Sequence, residues 1–438
     1  MENGVVRKQR KGKNMDTVIT EKQLKRSRGL YIAESTIEYL VSILVTGSFL
    51  ATLTGELGMS DSLTGILSSI VSLGCLFQLF SLVIHKQQVK SFVVVTNTVT
   101  QLLFILLYII PLAGGEKQTK IALFVGAVFF AYLISNISVP KRVSWLMSLV
   151  DDNHRGRFTA DKEIVSLLAG MAFSFGMGAL IDGFVERGEM RRAFVVAAVI
   201  IFVLAVTRSL TLILTVEKPQ PAAENRSLKK AVSGILKNKE LLKVILVFML
   251  YYMASYALTP FMGTYTISEL GMNLKVISVL TIVGSAARIT VSRFWGRYAD
   301  KHSFTALIEK CFVFLGMSYL CIIFAGPSNG IVMMAFYNVF HGIAFGGVNS
   351  ALTNLIFDYV KPEERADSLA VCQVVSGLTG FVSTILFSRV VEAIQQNGNR
   401  VLGMSVYAQQ LLAVVSLLLM TVAILYVRFG IMRRKKNR

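Results

Sequence analysis

Glu34 and Glu38 stand four residues apart, the spacing that puts two carboxylates on one face of a helix, and a carboxylate that binds and releases a proton can act as a proton carrier. Their setting gives the pair its interest. Both lie at the start of a long apolar run, where an ionised side chain is costly unless it faces protein or water. Glu38 is the better candidate for a proton-coupling role and Glu34 the weaker, against the bland alternative that both meet water or pair with lysines of the preceding basic segment. By the same argument Arg288 stands out, about two turns from the end of its apolar run, with a binding or coupling role weighed against a structural ion pair. For Arg208, and for Lys141 and Arg142 just after Pro140, the structural reading is preferred. Chemistry of other kinds has little to work with. The four histidines, His85, His154, His302 and His341, fall in separate segments, and Cys75, Cys311, Cys321 and Cys372 lie in apolar runs without metal-ligand spacing. Neither a metal centre, a disulfide framework nor a cofactor site is expected.

The elements that must hold these groups are membrane helices. Hydrophobic residues make up 54% of the 438 and charged residues only 16%, the composition of a polytopic membrane protein. Apolar runs long enough to cross a hydrocarbon core of roughly 30 Å fall near 34–54, 62–84, 91–111, 121–149, 164–182, 193–216, 243–267, 276–295, 306–326, 330–357, 368–390 and 408–428. Backbone polar groups in lipid must be satisfied internally, and the runs are too long for barrel strands, so the expected fold is all-α with twelve transmembrane helices.

Glu56-Leu57-Gly58-Met59 returns as Glu269-Leu270-Gly271-Met272, each copy leading from one apolar run into the next. Arg155-Gly156 is echoed by Arg365-Ala366 at nearly the same offset. The repeat divides the chain into a basic tail (1–33), a six-helix bundle (34–216), a linker (217–242), a second six-helix bundle (243–428) and a basic tail (429–438). Two parallel six-span halves are the mark of a large class of secondary transporters. The net charge of +19 is topogenic and does not indicate a nucleic-acid partner: roughly 35 of the 45 Lys and Arg lie in the tails and even-numbered loops, and about 7 in odd-numbered loops. Both termini are therefore expected in the cytoplasm, with the protein in the cell membrane. The tail through Leu30 has no apolar core and does not resemble a cleaved signal; it and Arg433–Arg438 suit an anionic lipid surface. Within the linker, Leu228, Val232, Ile235, Leu236 and Leu241 alternate with lysines as an interfacial amphipathic helix would.

Gly296-Arg297-Tyr298-Ala299-Asp300-Lys301, between spans 8 and 9, resembles the loop signature of the major facilitator superfamily. The family's later glycine is Ser303 here, its trailing basic pair is Phe304 and Thr305, and the first-half copy has Gln87 where the aspartate is expected. The resemblance implies that Asp300 faces the amino-terminal end of span 5, just after Arg155 and Arg157, and latches the halves on the cytoplasmic side. The alternative is a carboxylate that caps its own helix. Gly296, Arg297, Arg155, Arg157 and Arg365 belong to the same expected gate.

The resemblance further implies that spans 1, 4, 7 and 10 line a central cavity. They hold Tyr132, Ser135 and Asn136; Tyr251, Tyr252, Ser255 and Tyr256; and Tyr337, Asn338, His341 and Asn349. Aromatic faces beside amide and imidazole groups suit a small organic solute better than a bare ion, although Asn, Ser and Tyr also serve as helix–helix glue. Span 5 is rich in glycine but lacks the proline of the family's drug–proton antiporter signature. The reading is a secondary transporter of a small organic solute working by alternating access, with protons as the default coupling ion. The alternatives are a transporter-derived solute sensor and an intramembrane enzyme, the latter disfavoured by scattered histidines.

Overall fold

The structure is a computed structural model that describes residues 20–78, 89–151, 155–217, 238–357, 365–401 and 404–432. Most of the expected linker helix, residues 227–237, lies outside the described residues, as do residues 1–19, His85, Gln87, His154 and 433–438, while Leu241 near its end is buried within the helix Lys239–Leu258. Twelve spans run in chain order. They are α1 (Glu21–Leu44, then Gly47–Glu56 after a 42° bend), α2 (Asp61–Phe77), α3 (Val89–Ile109), α4 (Lys117–Met147), α5 (Arg155–Val185) and α6 (Met190–Leu214) in the first bundle. The second holds α7 (Lys239–Leu258, prolonged by short turns to Glu269), α8 (Leu274–Lys301), α9 (Phe304–Ile323), α10 (Gly330–Phe345, then Val348–Phe357), α11 (Arg365–Gln396) and α12 (Ala408–Leu425). A two-stranded hairpin, β1 (Arg400–Val401) and β2 (Met404–Ser405), joins α11 to α12.

Ten of these spans are long and apolar enough to cross a bilayer unaided, and bent α1 makes an eleventh. The twelfth, α2, has 17 described residues and reaches about 26 Å at 1.5 Å per residue. Both chain ends lie on one face of such a molecule, here termed the terminal face; the opposite one is the distal face. Helix α1 starts well before the expected boundary at residue 34. Thr20 and Gln23 form a reciprocal capping box, and Arg28 donates to the Leu149 carbonyl and pairs with Asp151. Residues 20–33 are thus helix packed on the bundle rather than tail.

The repeated tetrapeptide has a conformational cause. Gly58 and Gly271 take φ of +61° and +62°, the left-handed conformation that closes a helix and that glycine adopts without a Cβ penalty. The flanking Leu57, Met59, Leu270 and Met272 are buried. Ser60 and Asn273 then cap the next helix by accepting from the Leu63 and Val276 amides. Each copy is therefore a complete stop-and-restart signal between two spans.

Each bundle has its own core. Leu44, Leu53, Tyr108, Phe124 and Phe194 anchor the first, and Phe261, Phe312, Leu315 and Tyr319 the second. The bundles meet along two seams, α2 on α11 and α5 on α8. Close approach there requires small residues: a Cβ at Gly178 would lie 2.9 Å from the Leu274 carbonyl group, and one at Gly377 would lie 2.3 Å from the Ser72 carbonyl oxygen.

Candidate functional site

The two acidic residues of α1 face arginines of their own bundle. Glu34 Oε1 accepts from Arg142 Nη1 at 3.2 Å and from Arg208 Nε and Nη2 at 3.0 and 2.7 Å. Glu38 Oε1 lies 2.6 Å from Arg142 Nη2 and 3.0 Å from Arg208 Nη2. Two guanidiniums and two carboxylates make a formally neutral cluster that ties α1, α4 and α6 together. Glu34 is 2% exposed and Glu38 34% exposed, so only Glu38 turns a substantial part of its surface outward. Helix α4 carries Arg142 there by running through Pro140 without ending. Lys141, its neighbour, points elsewhere and lies 5.3 Å from the centre of the Phe92 ring.

Arg288 is placed differently. It forms an ion pair with Glu163 of α5, across the seam between the bundles. The Tyr39 phenol of α1 stands close to both charges, and His341 of α10 is near Arg288. His341 is stacked between Tyr337 and Phe345, at 5.2 and 4.3 Å between ring centres. Groups from both bundles therefore meet around Arg288.

On α7, Tyr252 and Tyr256 stack in parallel at 5.7 Å. The Tyr256 side chain reaches the first bundle, where it hydrogen-bonds Ser72 of α2 beside Gly380 of α11. Tyr132, Asn136 and Asn338 are used inside their own bundles. Tyr132 packs edge-on against Phe104, and Asn136 donates to the Tyr132 carbonyl while accepting from Gln78 of α2. Asn338 donates to the Met334 carbonyl and packs on Gly284 of α8. Asn136 thus ties α4 to α2, while the Asn338 amide bonds its own helix.

The described ties between bundles cluster towards the distal face. Asp182, at the end of α5, accepts from the Leu274 and Lys275 amides of α8 at 3.1 and 2.6 Å, satisfying two of the unpaired donors that open a helix. Gln395 of α11 donates to Asp61 of α2 at 2.7 Å, and the Ser48 and Thr266 hydroxyls are 3.2 Å apart. Deeper in, Ser278 donates to the Ser174 carbonyl at 2.9 Å and Ser72 to the Gly377 carbonyl at 2.9 Å. The expected latch at the other face is not among these ties. Asp300, Gly296 and Arg297 are exposed, and Asp300 has no partner among the described residues. The side chains of Arg155, Arg157 and Arg365 lie outside the described residues, although the backbone places Arg155 and Arg365 at the first positions of α5 and α11.

Sequence reasoning singled out Glu38, Arg288 and His341 but not the groups that they touch. Glu163, Ser72 and Asp182 went unrecognised as contacts across the seams. Glu163 carried a signal, an acid eight residues into a helix that continues through an apolar run; Ser72 carried none.

The Major Facilitator Superfamily family model matches residues 35–384. No curated protein matches the chain in sequence. Among solved structures, the nucleoside transporter NupG superposes with a TM-score of 0.69 at 12% identity, covering 93% of this chain and 98% of that one. A D-xylose-proton symporter gives 0.65 at 12% identity, with 91% and 97% covered. A bacterial homolog to the human lysosomal transporter Spinster, inward-facing and unoccupied, gives 0.64 at 11%, with 93% and 95% covered. At these identities the likeness is one of fold.

Proposed function

The chain belongs to the major facilitator superfamily, and on that premise we propose that it moves a small organic solute across the cell membrane by alternating access, coupled to protons, with the terminal face in the cytoplasm. The observation that carries the reading is the set of contacts that joins the two bundles at the distal face. Ties run from Asp182 and Asp61 at the distal face inward to Glu163–Arg288. This is the pattern of a carrier closed on one side, and the distribution of Lys and Arg argues that the closed side faces away from the cytoplasm. Rocking the bundles about the midplane then exposes the site to either side in turn.

Between the bundles the residues best placed to meet a solute are Arg288, Tyr39, His341 and the Tyr252–Tyr256 stack. Planar aromatic faces with phenol, imidazole and guanidinium groups suit an organic molecule that has both apolar and hydrogen-bonding surface. Transport of nucleosides and of xylose by the similar folds is compatible with this class and does not select within it. Glu38 contributes the exposed edge of the neutral cluster, where a polar solute can exchange hydrogen bonds with it.

Counterflow in proteoliposomes tests the reading. Solutes that raise the unfolding temperature in a screen of sugars, amino acids, nucleosides, organic anions and drugs are loaded inside, and uptake of labelled solute is followed. Exchange is expected; binding without exchange marks a sensor, and chemical conversion marks an enzyme, either of which would overturn the proposal.

A further inference from the structure

The membrane carboxylates differ in what surrounds them. Glu34 and Glu38 are held by arginines of their own bundle, so their counter-charges travel with them when the bundles rock. Glu309 of α9 likewise faces Arg428 of its own bundle at 3.9 Å. Glu163 has its partner, Arg288, in the opposite bundle. Its side chain is 50% exposed and that of Arg288 28%, so the pair is not sealed within protein. A group that couples protons to rocking must titrate, must meet water, and must see a different electrostatic field in the two open states. Of these four carboxylates, only Glu163 satisfies the last condition by its position.

We propose that Glu163 is the proton-coupling carboxylate of this carrier and that Arg288 is its conformational partner, an inference that rests on the transport reading above. Proton uptake from water in the cleft forms an O–H bond on the Glu163 carboxylate and cancels its charge. Arg288 then loses its counter-ion, and the α5–α8 tie nearest the terminal face lets go. Release of the proton remakes the pair and draws the two helices together. The lever is long: Asp182 and Glu163 are 19 positions apart on α5, about 28 Å of helix, so a change at one end acts on an opening far from the distal caps. The groups facing the pair are Tyr39 from α1 and His341 from α10. On α5 itself, Asp161 and Lys162 adjoin Glu163, and the Lys162 ammonium lies over the Tyr31 ring at 4.9 Å. Glu163 is thus left with a single strong cationic partner among the groups named.

The test needs no solute, because the proton is the only ligand added. Spin labels at Lys22→Cys on α1 and Lys301→Cys on α8, both exposed, report the separation of the bundles at the terminal face, after Cys75, Cys311, Cys321 and Cys372 are replaced by serine. In phospholipid nanodiscs, lowering the pH from 7 to 4, through the ordinary carboxylate range, is expected to move the distance distribution of the otherwise native protein towards longer values. Glu163→Gln is expected to give the low-pH distribution at both pH values, Glu163→Asp to keep the response, and His341→Gln to keep it as well. A response in Glu163→Gln equal to that of the native side chain overturns the proposal, as does loss of the response in His341→Gln or its absence in the native protein. Failure of the transport reading is distinct: it appears as a native protein that exchanges no solute in counterflow, whatever its pH response.

Discussion

Glu34 is the residue whose charge the first bundle can least do without. Three donors from two arginines converge on one of its oxygens, and at 2% exposure water cannot replace it. Removing one member of a buried charge cluster typically costs on the order of 3–5 kcal/mol, because the remaining charges stay buried without compensation. Glu34→Gln is therefore expected to lower the thermal unfolding midpoint in detergent sharply. Glu38→Gln, with a third of its side chain exposed, should lower it much less. Equal midpoints for the two variants would contradict the assigned burial. The cluster was half legible in the sequence. Apolar surroundings marked all four residues, but the partners of Glu34 lie 108 and 174 positions away, and no local spacing reports such a pairing. Glu38 is bridged by two arginines of its own bundle, neighbours that move with it if the bundle moves as a body.

At the scale of elements, the sequence recorded where helices stop better than where they touch. Gly58 and Gly271 occupy the left-handed conformation, which costs other residues about 1–2 kcal/mol, and that need accounts for the visible repeat. Gly271→Ala, which meets no atom within 4 Å, should lose about that much stability through backbone strain alone. Chemical denaturation compared with Gly271→Asn, which tolerates the conformation better, checks it. The partners expected for the Asp300 latch have side chains outside the described residues, and a device of the same kind is described at the other face. An aspartate facing the first amides of a helix in the other bundle was expected from Asp300 to α5; the described case is Asp182 of α5 to the start of α8. Aspartates at either end of a span look alike in a sequence, and which one engages depends on which face is closed. Replacing Asp182 with alanine removes a cap worth about 0.5–2 kcal/mol. Since 1.4 kcal/mol is tenfold in an equilibrium constant, the distal face should open roughly 2- to 30-fold more often. A cysteine at Ser278, buried in the seam, should then react faster with a membrane-impermeant thiol reagent added at the distal face, in a background lacking the four native cysteines. An unchanged rate would mean that Asp182 does not hold that face shut.

At the scale of the whole molecule, twelve spans, two bundles and their parallel repeat were all readable, because lipid forces every span to declare itself as an apolar run. The relation of one bundle to the other was not. It depends on contacts such as Ser72 with Gly377 and Ser174 with Ser278, small residues that a hydropathy profile does not distinguish from their neighbours. These contacts make alternating access a mechanical claim that can be tested by fastening the seam. The Ser48 and Thr266 hydroxyls, on opposite bundles near the distal face, are 3.2 Å apart. Cysteines at both positions bring their sulfurs close enough to be joined, directly or by a short bifunctional reagent, without forcing the helices apart. If each bundle moves as a body, that single link holds the distal face shut and stops exchange between the two sides, although solute binding from the terminal face persists. Exchange should fall to background on oxidation, return with a thiol reductant, and be unaffected in either single-cysteine variant. Continued exchange by a fully cross-linked protein would mean that the distal face does not have to open, and the rocking of two rigid bundles would have to be given up.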